Sequence, residues 1–302
     1  MAGNSTALIF STDETYAPLA KGLVLSLVDK NSINLSLCLV DIGCSPETLT
    51  WMKEHGVTIS AFDRAKYLPI KLNSAVKQYQ DAQLCRPFLP SIFPDHEVYL
   101  WCDSDIWIQN IESLNLYIDI AKKNPEKVAI SPLIDVSYKY HFADGMEFMR
   151  YARHWFRGCY GATIAETYAD HAILSSGLFA MRMDNPIWSL WASELIRIFE
   201  GEFEDHYQSH LAEQTVLNYL VYSRGALGVL EALHNYNCHI GSAVRRNGAV
   251  VVDAIPYRKI GAVHLTYSSK MLPEYLRSGL LYKEGSYLSD VERASLSNIS
   301  HY

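Results

Sequence analysis

The chain has 302 residues, a net charge of -7, 49% hydrophobic residues and 20% charged residues. That is enough apolar material for one large folded domain and excludes wholesale disorder. An acidic chain of this kind also lacks the basic footprint of a nucleic-acid binder, so an anionic phosphate ligand would have to be held through a metal or a local cluster of donors.

The start, MAGNSTALIFST, has no basic opening and no long apolar run, and does not have the form of a signal peptide. ALIFST (residues 7–12) has strand character. In AKGLVLSLVDKN (20–31), Leu23, Val24, Leu27 and Val28 recur at helical spacing. LSLCLVDIG (35–43) is a second strand, SPETLTWMKEHG (45–56) a capped helix closed by Gly56, and VTISAFD (57–63) a third strand. VYLW (98–101) is an apolar strand that arrives at two aspartates, Asp103 and Asp105, and KVAISPL (127–133) is a further core element.

Residues 137–170 break the pattern. The stretch YKYHFADGMEFMRYARHWFRGCYG is rich in Tyr, His, Phe and Arg, with apolar residues at near-helical intervals in part. It is expected to be an aromatic and basic insertion over the sheet. ILSSGLFAMR (173–182) then gives a strand and NPIWSLWASELIRIFEG (185–201) a helix, with Pro186 in its first turn and Gly201 at its cap. GALGVLEAL (225–233) supplies a late core element. Alternating strands and helices predict an α/β chain, a mostly parallel central sheet with helices on both faces, Rossmann-like in plan. Ligands of such sheets sit beyond the carboxyl ends of the strands, where the two aspartates lie.

The six cysteines, at 38, 44, 85, 102, 159 and 238, include no C-x-x-C pair. Several lie in apolar runs, which predicts buried, reduced thiols and a cytoplasmic chain. No window reaches ~20 uninterrupted apolar residues, so no transmembrane helix is expected.

Side chains at i and i+2 of a strand share a face, so Asp103 and Asp105 are expected to converge on one spot. Two carboxylates that close repel unless a cation separates them, and oxygen ligands at this density suit Mg²⁺ or Mn²⁺. A pair of solvated loop aspartates is the plain alternative. Phosphatases of the haloacid dehalogenase type also end an apolar strand in D-x-D. There the motif opens the domain and Thr or Val stands two positions after the second Asp; here Trp107 stands at that position and a full βαβ pattern precedes the motif.

In GAVHLTYSSK (261–270) a short strand presents His264, with Lys270 six residues later. A neutral imidazole beside carboxylates favours Mn²⁺, and a lysine can neutralise leaving-group charge on a diphosphate. A structural histidine is the alternative.

In combination these stretches resemble glycosyltransferase family 8, retaining enzymes with a GT-A fold. The resemblance runs from Ala7 to Lys270. It implies a single GT-A catalytic domain over residues 1–270, with the insertion at about 137–170, followed by a C-terminal extension at 271–302. In IFSTDETYAPLAKGLVLSL, Ser11, Asp13 and Thr15 would line a uridine pocket, with Asp13 on the base and Tyr16 stacked on the uracil. The alternative is a loop with a core tyrosine. Arg86, in QLCRPFLPSIFP, would touch the donor sugar or its diphosphate, together with Ser104 inside the D-x-D triplet. Asp135, in AISPLIDV, would touch the donor sugar, as would Ser175, Ser176 and Gly177 in SSGLFAMR, where the family has N-x-G. In AEQTVLNYL, Glu213 stands where the family has aspartate and would meet a sugar hydroxyl, while Gln214 would lie beside the anomeric carbon. An acidic residue in a first helical turn is also a plain dipole feature.

The resemblance implies transfer of a hexose from a UDP-sugar to a hydroxyl of a saccharide or glycoconjugate acceptor with retention. Asp103, Asp105 and His264 would hold Mn²⁺ or Mg²⁺, and Lys270 would sit on the β-phosphate. A nucleotide-sugar-binding protein of the same fold without turnover is the alternative function. Membrane attachment is expected to be peripheral at most, since residues 273–302 carry no strongly basic amphipathic tail.

Overall fold

The computed structural model describes residues 6–28, 35–68, 78–135, 137–138, 141–201, 211–238 and 243–265. Lys270 and the expected extension at 271–302 lie outside them.

A seven-stranded sheet forms the centre, in the order β3-β2-β1-β4-β7-β6-β8. Its strands are β1 (Thr6–Thr12), β2 (Ser36–Asp41), β3 (Thr58–Ala61), β4 (Val98–Cys102), β6 (Val128–Pro132), β7 (Leu174–Arg182) and β8 (Leu227–Val229). Strands β1 to β4 run parallel, and β8 runs parallel to β6. The exception to the expected parallel plan is β7, antiparallel to both β4 and β6. The sheet is mixed and mostly parallel.

Both faces of the sheet are covered, which is why β1 and β4 are apolar at nearly every position. Ala7, Ile9, Tyr99 and Trp101 face one way, into a core closed by Trp188 and Trp191 of α6 (Ile187–Phe199) and Val216 and Leu217 of α7 (Ala212–Ser223). Leu8, Phe10, Leu100 and Cys102 face the other way, against Leu23 and Val24 of α1 (Ala17–Val28), Met52 of α2 (Pro46–Glu54) and Leu114 and Tyr117 of α3 (Ile111–Lys123). The period-two alternation of each strand thus feeds two separate helix layers. Helix α2 starts as its sequence suggests: Ser45 Oγ accepts from Thr48 N–H and Pro46 opens the first turn, with Gly56 left-handed at φ 75° just past the end. Pro186 stands at the N-cap position of α6, one residue ahead of the first turn expected for it.

A three-stranded sheet lies beside the central one, in the order β5-β12-β9, built from β5 (Ile106–Ile108), β9 (Tyr236–Asn237) and β12 (Ala262–His264). A hairpin of β10 (Ala243–Arg246) and β11 (Ala249–Val252) packs on it through Val250 and Val252. The aromatic stretch contains two helices, α4 (His141–Tyr160) and α5 (Ala162–Tyr168), joined over a small apolar cluster of Ala152, Phe156, Ala165 and Ala169. All six cysteines are free thiols. Among the described residues no helix is long and apolar enough to cross a membrane.

Candidate metal and donor site

The two aspartates do not share a strand face. Strand β4 ends at Cys102, and residues 103–105 form a turn in which Ile106 N–H donates to Asp103 O at 3.0 Å. The turn sends the chain out of the central sheet into β5. The carboxylates therefore converge through a reversal of the chain, not through strand alternation. Strand β5 then pairs antiparallel with β12, setting His264 opposite Ile106, and Leu265 N–H donates to Asp105 O at 3.0 Å. One ladder step thus delivers a histidine distant in sequence to the aspartate turn.

The ligand atoms of Asp103, Asp105 and His264 all lie within 4.8 Å of one another. His264 Nε2 is 3.2 Å from Asp105 Oδ1 and 3.8 Å from Asp103 Oδ2. Its Nδ1 is 3.0 Å from Asn235 Oδ1. Two carboxylates and one imidazole nitrogen form a donor set that can hold one divalent ion.

Arg86 lies beside this cluster and is buried. Its Nη2 donates to Asp103 Oδ1 at 2.6 Å, and its Nη1 donates to Glu213 Oε2 at 2.9 Å and to Ser176 Oγ at 2.8 Å. Trp101 Nε1–H donates to the same Asp103 oxygen at 2.7 Å, and the guanidinium carbon lies 4.9 Å from the Trp101 ring centroid. Asp103 Oδ1 is thus fixed by two donors, while Oδ2 is left on the side of His264. Burial pushes the Asp103 carboxyl up, Arg86 opposes that, and Asp105 adds to it. Burial lifts Glu213 to about 7 against the pull of Arg86. Its Oε1 is buried and has no hydrogen-bond partner among the described residues.

Strand β7 is irregular where it meets the site. Ile130 pairs with Phe179, whereas Pro132 pairs with Leu174, so two steps on β6 face five on β7. The extra residues include Ser175, Ser176 and Gly177. Such a bulge re-aims side chains. Ser176 Oγ meets Arg86, Glu213 and Gln214, and Ser176 N–H donates to Gln214 Oε1 at 3.1 Å. Ser175 Oγ instead accepts from Asn235 Nδ2 at 2.9 Å. Gly177 passes so close to the cluster that a Cβ there would sit 2.5 Å from His264 Cε1 and 2.9 Å from Asp103 Oδ2.

The remaining residues singled out from sequence spread around this centre. Ser11 lies two residues beyond Ile9 and Asp103 two beyond Trp101; since Ile9 pairs with Trp101, both stand at one level of the sheet's carboxyl edge. Asp13 Oδ1 accepts from Tyr16 N–H at 2.9 Å ahead of α1, and Thr15 is exposed. Tyr16 is half-buried against the cluster of Leu19, Tyr138 and Tyr236. Ser104 is half-buried in the aspartate turn. Asp135 is buried and is tied to Arg258 at 3.2 Å and to Ser137. Trp101 and Asn235 were not singled out from sequence. Trp101 had a signal, two positions ahead of Asp103 on a strand, whereas Asn235 reaches the site only through long-range pairing.

The sequence matches no protein-family model and no curated protein. Solved structures do match. A galactosyltransferase, LgtC, in complex with donor and acceptor sugar analogues is 12% identical, with TM-score 0.53 over 98% of this chain and 97% of that one. The glycosyltransferase GlyE of Streptococcus pneumoniae TIGR4 is 15% identical, with TM-score 0.54 over 97% of this chain and 62% of that one. Mouse xyloside xylosyltransferase 1 is 13% identical, with TM-score 0.50 over 86% of this chain and 96% of that one. At these identities the likeness is one of fold: the chain has the GT-A fold of glycosyltransferases.

Proposed function

We propose that this chain is a retaining glycosyltransferase of family 8, moving a hexose from a UDP-sugar to a hydroxyl of a saccharide or glycoconjugate acceptor with a divalent metal. The observation that carries this reading is the convergence of Asp103, Asp105 and His264 at the carboxyl edge of a GT-A sheet, with Arg86 and Glu213 immediately beside them. Mn²⁺ or Mg²⁺ bound there would neutralise the UDP leaving group.

The chain's own residues divide the rest of the work. Asp13 and Tyr16 hold the uracil, with Ser11 and Thr15 around it. Arg86 orients Asp103 and, with Ser104 and Lys270, binds the diphosphate. Ser175, Ser176 and Gly177 with Asp135 shape the sugar subsite. Glu213 and Gln214 meet the sugar near the anomeric carbon. Glu213 is an unfavourable nucleophile, since burial disfavours its charged form. Same-face attack by the acceptor, assisted by the leaving phosphate, needs no protein nucleophile and is the favoured route to retention.

Residues 1–270 form the catalytic domain and 271–302 an extension of it. The 137–170 insertion serves in this reading as a lid or acceptor platform, the alternative being an ordinary helical insertion packed by its aromatics. Tyr151 and Trp155 of α4 stack at 6.3 Å between centroids, Tyr151 is exposed, and Arg150 and Arg153 are exposed beside them. Aromatic faces suit sugar rings. A cytoplasmic enzyme, peripheral to the membrane at most, agrees with the free thiols.

A panel of nucleotide-sugars screened for Mn²⁺-stimulated UDP release tests the proposal. Release from at least one UDP-hexose is expected. UDP binding with no release from any donor would identify a binder without turnover instead.

A further inference from the structure

We propose that Asn235 is a positioning residue for the metal site, holding His264 with its proton on Nδ1 and its Nε2 lone pair turned to Asp103 and Asp105. The inference rests on the metal reading given above.

Asn235 is fully buried and closes a 3₁₀ turn, Ala232–Asn235, immediately ahead of β9. Strand β9 runs parallel to β12, with Tyr236 opposite Val263 and Asn237 opposite His264, and Cys238 N–H donates to His264 O at 2.9 Å. The backbone that carries Asn235 is therefore pinned to the backbone that carries the histidine.

The amide is used at both ends. Nδ2 donates to Ser175 Oγ at 2.9 Å, and Oδ1 lies 3.0 Å from His264 Nδ1. A carbonyl-type oxygen can only accept, so with Oδ1 on this side Nδ1 carries a hydrogen, and Nε2 is the nitrogen that can offer a lone pair to a metal. Nε2 is the nitrogen on the side of the carboxylates, at 3.2 Å from Asp105 Oδ1. Ligating histidines are held in this way by an acceptor on their other nitrogen.

Gly177 packs against the Cε1 edge of the ring, between its two nitrogens. With only 2.5 Å between its ideal Cβ position and His264 Cε1, any larger residue would push the imidazole off this line. Ser175 and Gly177 thus serve the histidine from one short bulge, while Ser176 between them serves Arg86, Glu213 and Gln214.

The test uses the full chain and the metal alone. Imidazole ¹⁵N shifts of the metal-free protein report which ring nitrogen carries the hydrogen. Calorimetry with MnCl₂ reports affinity. The wild type is expected to show Nδ1–H. Asn235→Leu should lose that preference and weaken Mn²⁺ binding by roughly 10–100-fold, the usual cost of losing a partner to a ligating histidine. Asn235→Asp, which can still accept from Nδ1–H, should restore most of the affinity; a plain packing role would not predict that rescue. Ser175→Ala, which only frees the amide to turn, should shift the tautomer and weaken binding less, and it keeps the test open if Asn235→Leu does not fold. Nε2–H in the wild type, or an unchanged tautomer and affinity in Asn235→Leu, overturns the inference. An Nδ1–H wild type that binds no Mn²⁺ overturns the metal reading instead and leaves the Asn235 contact standing.

Discussion

Arg86 donates to Asp103 across 2.6 Å from a position almost closed to solvent, and its other terminal nitrogen reaches Glu213 at 2.9 Å. One cation therefore sits between two carboxylates that otherwise repel. Removing one member of such a buried group is far more costly than replacing all of it, because the charge left behind has no partner. Arg86→Met is expected to lower unfolding free energy by about 3–5 kcal/mol, read from urea denaturation. Adding Glu213→Gln to Arg86→Met should recover part of that loss, since the two residues are in contact and their effects are not additive. Full additivity would show that the two do not interact.

Glu213 makes stability depend on pH in a defined window. Its folded value, about 7, lies above the ordinary 4.5, so the folded chain binds more protons than the unfolded chain between those values. Its contribution to stability is complete below about 4.5 and is lost as pH rises through about 7. In metal-free protein the Glu213→Gln variant should lose this negative slope, so that its stability relative to the wild type rises by up to about 3 kcal/mol between pH 4.5 and pH 8, whatever the constant cost of losing the Arg86 contact. Denaturation midpoints at several pH values measure it. Parallel wild-type and variant curves across the window contradict the assignment.

Gly177→Ala tests the close approach of β7. The added methyl would sit 2.5 Å from His264 Cε1 and 2.9 Å from Asp103 Oδ2, so one of the two ligands must move. Mn²⁺ affinity is expected to fall by roughly 10-fold or more, within the range seen when supporting residues of a metal site are changed. Far-UV circular dichroism should be unchanged. Wild-type affinity in this variant would show that the ligands tolerate the displacement.

Metal binding should also be visible as thermal stabilisation, since an ion that binds only the folded chain raises Tm with its concentration. Wild-type Tm is expected to rise with MnCl₂. Asp105→Asn should abolish the rise and, in EDTA, melt no lower than the wild type, because one of two adjacent carboxylates has been neutralised. A metal-dependent rise that survives in Asp105→Asn places the ion elsewhere.

Much of the scaffold was legible because it is locally encoded. The apolar run of β1, the helical spacing of Leu23 and Leu27 in α1 and the Ser45 cap of α2 each follow from neighbours in sequence. The convergence of Asp103 with Asp105 was anticipated for the wrong physical reason, as a shared strand face instead of a turn between β4 and β5. The reversed direction of β7 was not legible, because a strand's apolar pattern is the same in either direction. Nor was the bulge at residues 175–177, which exists only against β6. Trp101 is a buried core residue at the end of an apolar run, and its indole nitrogen also fixes an Asp103 oxygen. Asn235 meets His264 across 29 positions of sequence, and nothing in its local residues announces that contact.

The most direct measurement is anomalous diffraction from crystals soaked with MnCl₂ and UDP. A single manganese peak within coordination distance of Asp103, Asp105 and His264, with the diphosphate on its open side, is the expected result. A peak away from these three side chains, or UDP bound with no metal between it and them, would contradict the central claim.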